Sequence, residues 1–364
     1  MMKRLLILLL LLSCVGSCRQ YVPKIGKLVD PEMSVISTEY RGGYECRYVE
    51  FSVGQAKDIK ERIKAYLLVP DNAISSKRLP AVVMLHDHGA RFDIGKEKLV
   101  RPMTSILPEG DDDHILKSSE QWIDKYFDGV YLADSLASLG YVVLVADALY
   151  WGERSAVDAH RWSELSYNKH KLDARVIKDT LKALKNRVYE GQRSVYDSLQ
   201  KDGVVWAEKI LRDDVASVEV LKSLPFVDKN NIGAFGFSMG AHRCWMLSAF
   251  CKDVKCGVAL SWMTTLDREA ELTASDYSMA ILRMRTKLDF GDIGKYLAPK
   301  PMLFISGDED HLFPKEKTHQ AYEILQGYYS DCPEKLVTTF FNGGHHCGKD
   351  VQAQIFQYLD QNLN

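Results

Sequence analysis

An α/β fold is predicted, a mostly parallel, doubly wound sheet with antiparallel strands at its amino-terminal side and helical, lid-like insertions. Three observations predict it. Five short apolar runs, "PAVVMLH" (80–86), "YVVLVAD" (141–147), "NIGAFGF" (231–237), "CGVALSW" (256–262) and "PMLFISG" (301–307), are nearly continuous, as strands covered on both faces are. Helical patterns lie between them, and strand, helix, strand in that order implies right-handed crossovers. Ahead of these runs, "YECRYVEFSV" and "RIKAYLLV" alternate apolar with polar residues, as two antiparallel strands between Glu39 and Leu68 would.

Taken in order, the elements begin with a leader. "MMKRLLILLLLLSCVGSC" (1–18) has a basic start at Lys3 and Arg4 and an apolar core too short to span a bilayer comfortably, which reads as an export signal. Its end, Val15-Gly16-Ser17-Cys18, resembles the lipobox of bacterial lipoproteins, in which cleavage precedes a cysteine that then carries lipid. Lipidation is therefore expected at Cys18, with Cys14 as the second candidate and a plain secretory signal as the alternative. The expected location is the bacterial cell envelope, with membrane contact only through this anchor. Residues 19–38 read as a tether and 39–364 as one domain.

Within the domain, "GVYLADSLASLG" ends on Gly140, a suitable helix C-cap directly before a strand. The 205–224 segment carries apolar residues at three- and four-residue intervals and stops before Pro225. "KTHQAYEILQGYY" and "DVQAQIFQYLDQNL" are two further helices, separated by a mixed strand, "EKLVTTFF" (334–341). Residues 90–128, charged and irregular, and 155–203, with extra helical pattern, break the alternation. Long excursions of this kind are usually lids or binding loops, here expected on the carboxyl edge of the sheet.

Composition narrows the function. A formal net charge of -2 without a basic run gives no electrostatic case for nucleic-acid binding. Six cysteines follow the leader without a zinc-type spacing and read mostly as buried small apolar residues; Cys251 with Cys256, or Cys332 with Cys347, are possible pairs in an oxidising compartment, a choice left open by the sequence.

The chemistry concentrates around "GFSMG" (236–240), a G-x-S-x-G between an apolar strand and a helix with no intervening loop. Such a turn holds the serine strained and exposed, and the new helix presents the N–H of Met239 to an oxyanion. A serine needs a base, and the base needs a carboxylate to orient it. "SGDEDHLFP" supplies Asp308, Glu309 and Asp310 at one strand end, and "FNGGHHCG" supplies His345 and His346 at the next.

Together these stretches resemble the α/β-hydrolase family, and within it the dienelactone-hydrolase-like and acetyl-xylan-esterase-like branches. The resemblance runs from about residue 60 to 360 and rests on "PAVVMLHDHGA", "YVVLVADALYWGER", "GFSMG", "APKPMLFISGDEDHLFP" and "GGHH". It implies Ser238 as nucleophile and Asp310 as acid, through the pattern G-x-x-D-x-x-x-P from Gly307 to Pro314, with Asp308 bracing the loop. It implies His345, the histidine that follows glycine, as base. "HDHGA" (86–90) takes the place of the family's second oxyanion donor but carries Asp87 where glycine is common; His88 is the expected donor, with Gly89 and Ala90 as alternatives. His86 is expected to make a structural hydrogen bond behind that loop, and no metal or cofactor is expected. Trp151, Arg154 and Trp262 are candidate pocket residues, against a structural Glu153–Arg154 ion pair and a core role for Trp262. The implied activity is two-step acyl transfer on a carboxylic ester, led by a short acyl or acetyl ester on a carbohydrate. Lactone hydrolysis and a peptidase or amidase activity are the alternatives, and a non-catalytic binding protein on the same scaffold is disfavoured.

Overall fold

In the computed structural model the described residues are 21–26, 31–53, 61–74, 78–107, 112–155, 174–273 and 275–364. The expected leader, with Cys14 and Cys18, lies outside them. Among the described residues one sheet is built from β1 (Met33–Tyr40), β2 (Tyr44–Ser52), β3 (Arg62–Pro70), β4 (Leu79–Leu85), β5 (Val142–Ala146), β6 (Val227–Phe237), β7 (Cys256–Leu260), β8 (Met302–Gly307) and β9 (Leu336–Phe341). The spatial order is β1-β2-β3-β5-β4-β6-β7-β8-β9. The pairs from β1 to β5 are antiparallel and those from β5 to β9 parallel. Every residue of β4, β5, β7 and β8 is buried, which is why those strands read as unbroken apolar runs.

The longer helices are α1 (Asp112–Tyr126), α2 (Leu132–Ser138), α3 (Ala174–Lys201), α4 (Trp206–Ser223), α5 (Met239–Phe250), α6 (Lys315–Tyr328) and α7 (Lys349–Leu363). One core joins one face of the sheet to α4, α5 and α6, and a second joins the other face to α1, α2 and α7. Helices on both faces make the sheet doubly wound, as the strand–helix alternation requires. Gly140 closes α2 at φ +94°.

Two expectations are corrected, and one alternative that the sequence left open is decided. The antiparallel portion has three strands, not two: β1 starts at Met33, inside the segment read as a tether. As an edge strand it is exposed at most positions and so lacks an apolar alternation. Tyr21, from the same segment, is also docked, its hydroxyl 2.6 Å from Glu208 Oε1 and its N–H 2.8 Å from the Tyr296 hydroxyl. The 90–128 stretch is not irregular throughout, since it carries α1. The buried stripe of that helix places Ser118 and Ser119 between Ile115 and the pair Trp122 and Ile123, and the two serines dilute the apolar periodicity. The six cysteines of the described residues are free thiols, so neither possible pair forms.

Candidate active site

The topology sets three loops side by side. β4 and β6 are parallel neighbours with Leu85 opposite Gly236, so "HDHGA" and "SMG" leave the sheet together. The turn after β6 is as tight as its glycines suggest. A Cβ on Gly236 would lie 1.8 Å from the carbonyl oxygen of Gly240, and a Cβ on Gly240 would lie 1.8 Å from that of Leu85. Ser238 itself sits at φ 55°, ψ -123°, a conformation that costs on the order of 1–3 kcal/mol for a residue with a side chain. The Ser238 N–H donates to Leu260 O at 2.9 Å and Ser238 O accepts from Ala241 N at 2.7 Å, which holds the turn from both sides. Met239 opens α5, where backbone N–H groups have no partner within the helix.

Of the three carboxylates after β8, the structure brings Asp310 to the imidazole. His345 Nδ1 donates to Asp310 Oδ2 at 2.7 Å, and the second oxygen of Asp310 accepts from Leu312 N at 2.9 Å. The Asp310 carboxylate is buried, and the His345 ring packs against Phe237 and stacks on Phe313. Glu309 is exposed. Asp308 braces the two loops, its Oδ1 accepting from Gly343 N at 3.0 Å. His346 turns the other way, Nε2 3.1 Å from Asp128 Oδ1.

On the other side of the serine, His86 lies fully buried, with Nε2 accepting from Ala148 N and Nδ1 donating to Asp87 O, both at 2.9 Å. Burial, with Arg243 and Lys98 nearby, holds its pKa well below the ordinary imidazole value, so it is a neutral structural ring. His88 Nδ1 accepts from Ala90 N at 3.1 Å, which removes Ala90 from the candidate oxyanion donors. Among the described residues the N–H groups of His88 and Gly89 have no acceptor.

Ser238, Met239, His345 and residues 87–90 line one cavity of about 560 Å³. Aromatic walls come from Trp122 and Tyr126 of α1, Tyr189 of α3, Trp262 and Phe313. Trp262 lines the cavity and is also part of the buried core, where its ring meets Trp245 and Phe290. The other two pocket candidates do not line the cavity. Trp151 is fully buried and donates Nε1–H to His88 O at 2.9 Å, beneath the loop rather than in the cavity. Arg154 pairs with Glu61 at 2.7 Å and Asp213 at 2.8 Å. Nor do Glu153 and Arg154 pair with each other: Glu153 meets Lys64 and Lys96, both at 3.0 Å, and the Tyr48 hydroxyl. The 3-10 turn Gly152–Arg154 sends the two side chains in different directions.

Sequence reading missed Trp122 and Tyr126, which sit in a helix whose apolar pattern is diluted. It also missed the segment after β7, which brings Asp267, Glu271, Asp276 and Arg285 to the cavity rim without any motif of its own. Lys98 was likewise not singled out.

Comparison with known proteins agrees with this architecture. The sequence model of the dienelactone hydrolase family matches residues 127–346. The protein YtaP of Bacillus subtilis, to which hydrolase activity is attributed, is 24% identical over 273 residues, covering 74% of this chain and 73% of YtaP. The structure of BF1801 from Bacteroides fragilis, to which acetyl xylan esterase activity is attributed, superposes with a TM-score of 0.61 at 17% identity, covering 87% of this chain and 71% of that one. A glucuronoyl esterase from Solibacter usitatus superposes with a TM-score of 0.56 at 10% identity, covering 95% and 88%.

Proposed function

The chain belongs to the dienelactone hydrolase family, and from that premise we propose that it is a serine hydrolase that cleaves a carboxylic ester through an acyl-enzyme. The observation that carries the proposal is the buried Asp310–His345 pair at 2.7 Å, with His345 and Ser238 lining the same cavity. Asp310 fixes the tautomer in which Nδ1 carries hydrogen, leaving Nε2 free to accept the Ser238 proton. The serine oxygen attacks the ester carbonyl, and the Met239 N–H and an N–H of the 88–89 peptides receive the oxyanion. His345 returns the proton to the departing alcohol. Water, activated by the same ring, then releases the acid and restores Ser238.

The proposed substrate class is a short acyl or acetyl ester on a carbohydrate. An aromatic cavity with a charged rim suits a sugar ring, and the likeness to carbohydrate-directed esterases supports it. We propose further that Cys18 carries a lipid that keeps the exported enzyme at the cell envelope. The test uses the full-length chain, a short-chain aryl ester, a panel of acetylated oligosaccharides, and a fluorophosphonate probe. Turnover and covalent labelling are expected, and Ser238→Ala should lower kcat by about 10⁶-fold and abolish labelling. Hydrolysis that survives the substitution would overturn the mechanism.

A further inference from the structure

Lys98 lies beneath the oxyanion loop, at the end of a 3-10 turn (Lys96–Lys98), with its side chain fully buried. Its ammonium donates to Asp87 O and to His88 O, each at 3.0 Å. The Asp87 carboxylate is farther, Oδ2 at 3.5 Å, and the Trp122 ring lies under the charge at 4.9 Å. The two carbonyls belong to the peptide units whose N–H groups are those of His88 and Gly89. In a trans peptide the C=O and N–H point in opposite directions, so anchoring both oxygens on one side turns both hydrogens to the other. His88 and Gly89 line the cavity that Ser238 lines.

We propose that Lys98 is a positioning residue for the oxyanion site: it aims the His88 and Gly89 amides at the anion and strengthens them as donors. The physical basis is polarisation. A buried cation on a carbonyl oxygen draws electron density across the peptide and makes its N–H a better donor, and the low local dielectric preserves that effect. Trp151 Nε1 adds a second donor to His88 O. This places a role on a lysine that touches neither substrate nor Ser238, and it rests on the ester-hydrolase reading above. A lysine serving only to neutralise Asp87 would sit closest to the carboxylate, whereas here the carbonyls are nearer.

The experiment compares the full-length chain with its Lys98→Met variant on a short aryl ester and with an aryl boronate, which forms a tetrahedral anion on a nucleophilic serine. The expected result is a fall in kcat of about 10- to 100-fold with KM within about twofold, less than deleting a donor outright. Boronate affinity should fall by the same factor as kcat, since both report stabilisation of the anion. An unchanged kcat, or a loss of kcat without a matching loss of boronate affinity, overturns the role. Should Lys98→Met fail to show the far-UV spectrum and cooperative melting of the parent, Trp151→Phe decides instead. It removes one donor from His88 O and should lower kcat and boronate affinity together by several-fold, and an unchanged kcat overturns the proposal. A parent chain that neither hydrolyses esters nor reacts with fluorophosphonate overturns the serine-hydrolase reading and this role with it. An active parent with an unaffected variant overturns this role alone.

Discussion

Asp310 and His345 show how residue identity and residue placement divide the information. The family resemblance, through the glycine that precedes His345 and the spacing from Gly307 to Pro314, implies one acid and one imidazole out of a run of three and a run of two. The structure adds the reason that the neighbours differ: Glu309 is exposed and His346 pairs with Asp128 at the surface. Asp310→Asn should lower kcat by about 10⁴-fold with little change in KM, because an amide stabilises the wrong tautomer and no imidazolium. His346→Gln should leave kcat within about twofold, since its partly exposed ion pair contributes little. Steady-state kinetics of both variants check the assignment, and equal losses would refute it. Trp151 and Arg154 were legible as residues of the carboxyl edge, and a structural role for Arg154 as well, but not its partners Glu61 and Asp213 nor the place of Trp151 beneath the loop. Position after a strand says which end of the sheet a residue occupies, not whether its side chain turns into the cavity or under the loop.

Among the elements, the segment after β7 forms much of the cavity wall beside the Ser238 turn, and α3 contributes Tyr189 to it. Tyr189 of α3 lines the cavity and its ring meets Phe92 edge to face at 6.1 Å. Tyr189→Ala should raise KM for esters with bulky alcohol groups several-fold while leaving kcat for acetyl aryl esters within about twofold, because it removes binding shared by substrate and transition state. A loss confined to kcat would place Tyr189 in the chemistry instead. The buried strands of the parallel sheet were readable because a strand covered on both faces has no polar alternation to hide it. The edge strand β1 and the helix α1 were not, because one is exposed at most positions and the other fills its buried stripe with serines.

For the molecule as a whole, three histidines buried beneath the active-site edge, His86, His88 and His242, couple stability to pH. Burial, with Lys98 beside His88 and Arg243 beside His242, pushes both of those rings down to about 3. A histidine whose folded pKa is depressed stays neutral in the folded chain while the unfolded chain takes up a proton below about 6.5. Its stabilising contribution is therefore complete above that value and is lost as pH falls from about 6.5 towards about 3. His242 packs against Trp245 and Trp262 and isolates the effect. The stability of the parent relative to His242→Gln should decline on lowering the pH from 7 to 5, by on the order of 1 kcal/mol per pH unit below the unfolded pKa. Urea denaturation at several pH values measures it. A difference that does not change with pH would mean that His242 is not buried neutral.

The sequence by itself determined the buried parallel strands, their doubly wound class, the tight turn at Ser238 and the chain order of Ser238, Asp310 and His345, because these depend on local periodicity and on glycines that no other residue can replace. The tertiary structure alone decided which amides face the cavity, which charges support them from beneath, and which distant helices wall the pocket. Those contacts join residues tens to hundreds of positions apart, such as Trp151 with His88 or Lys209 with Glu61, and nothing in the spacing of either partner records the other.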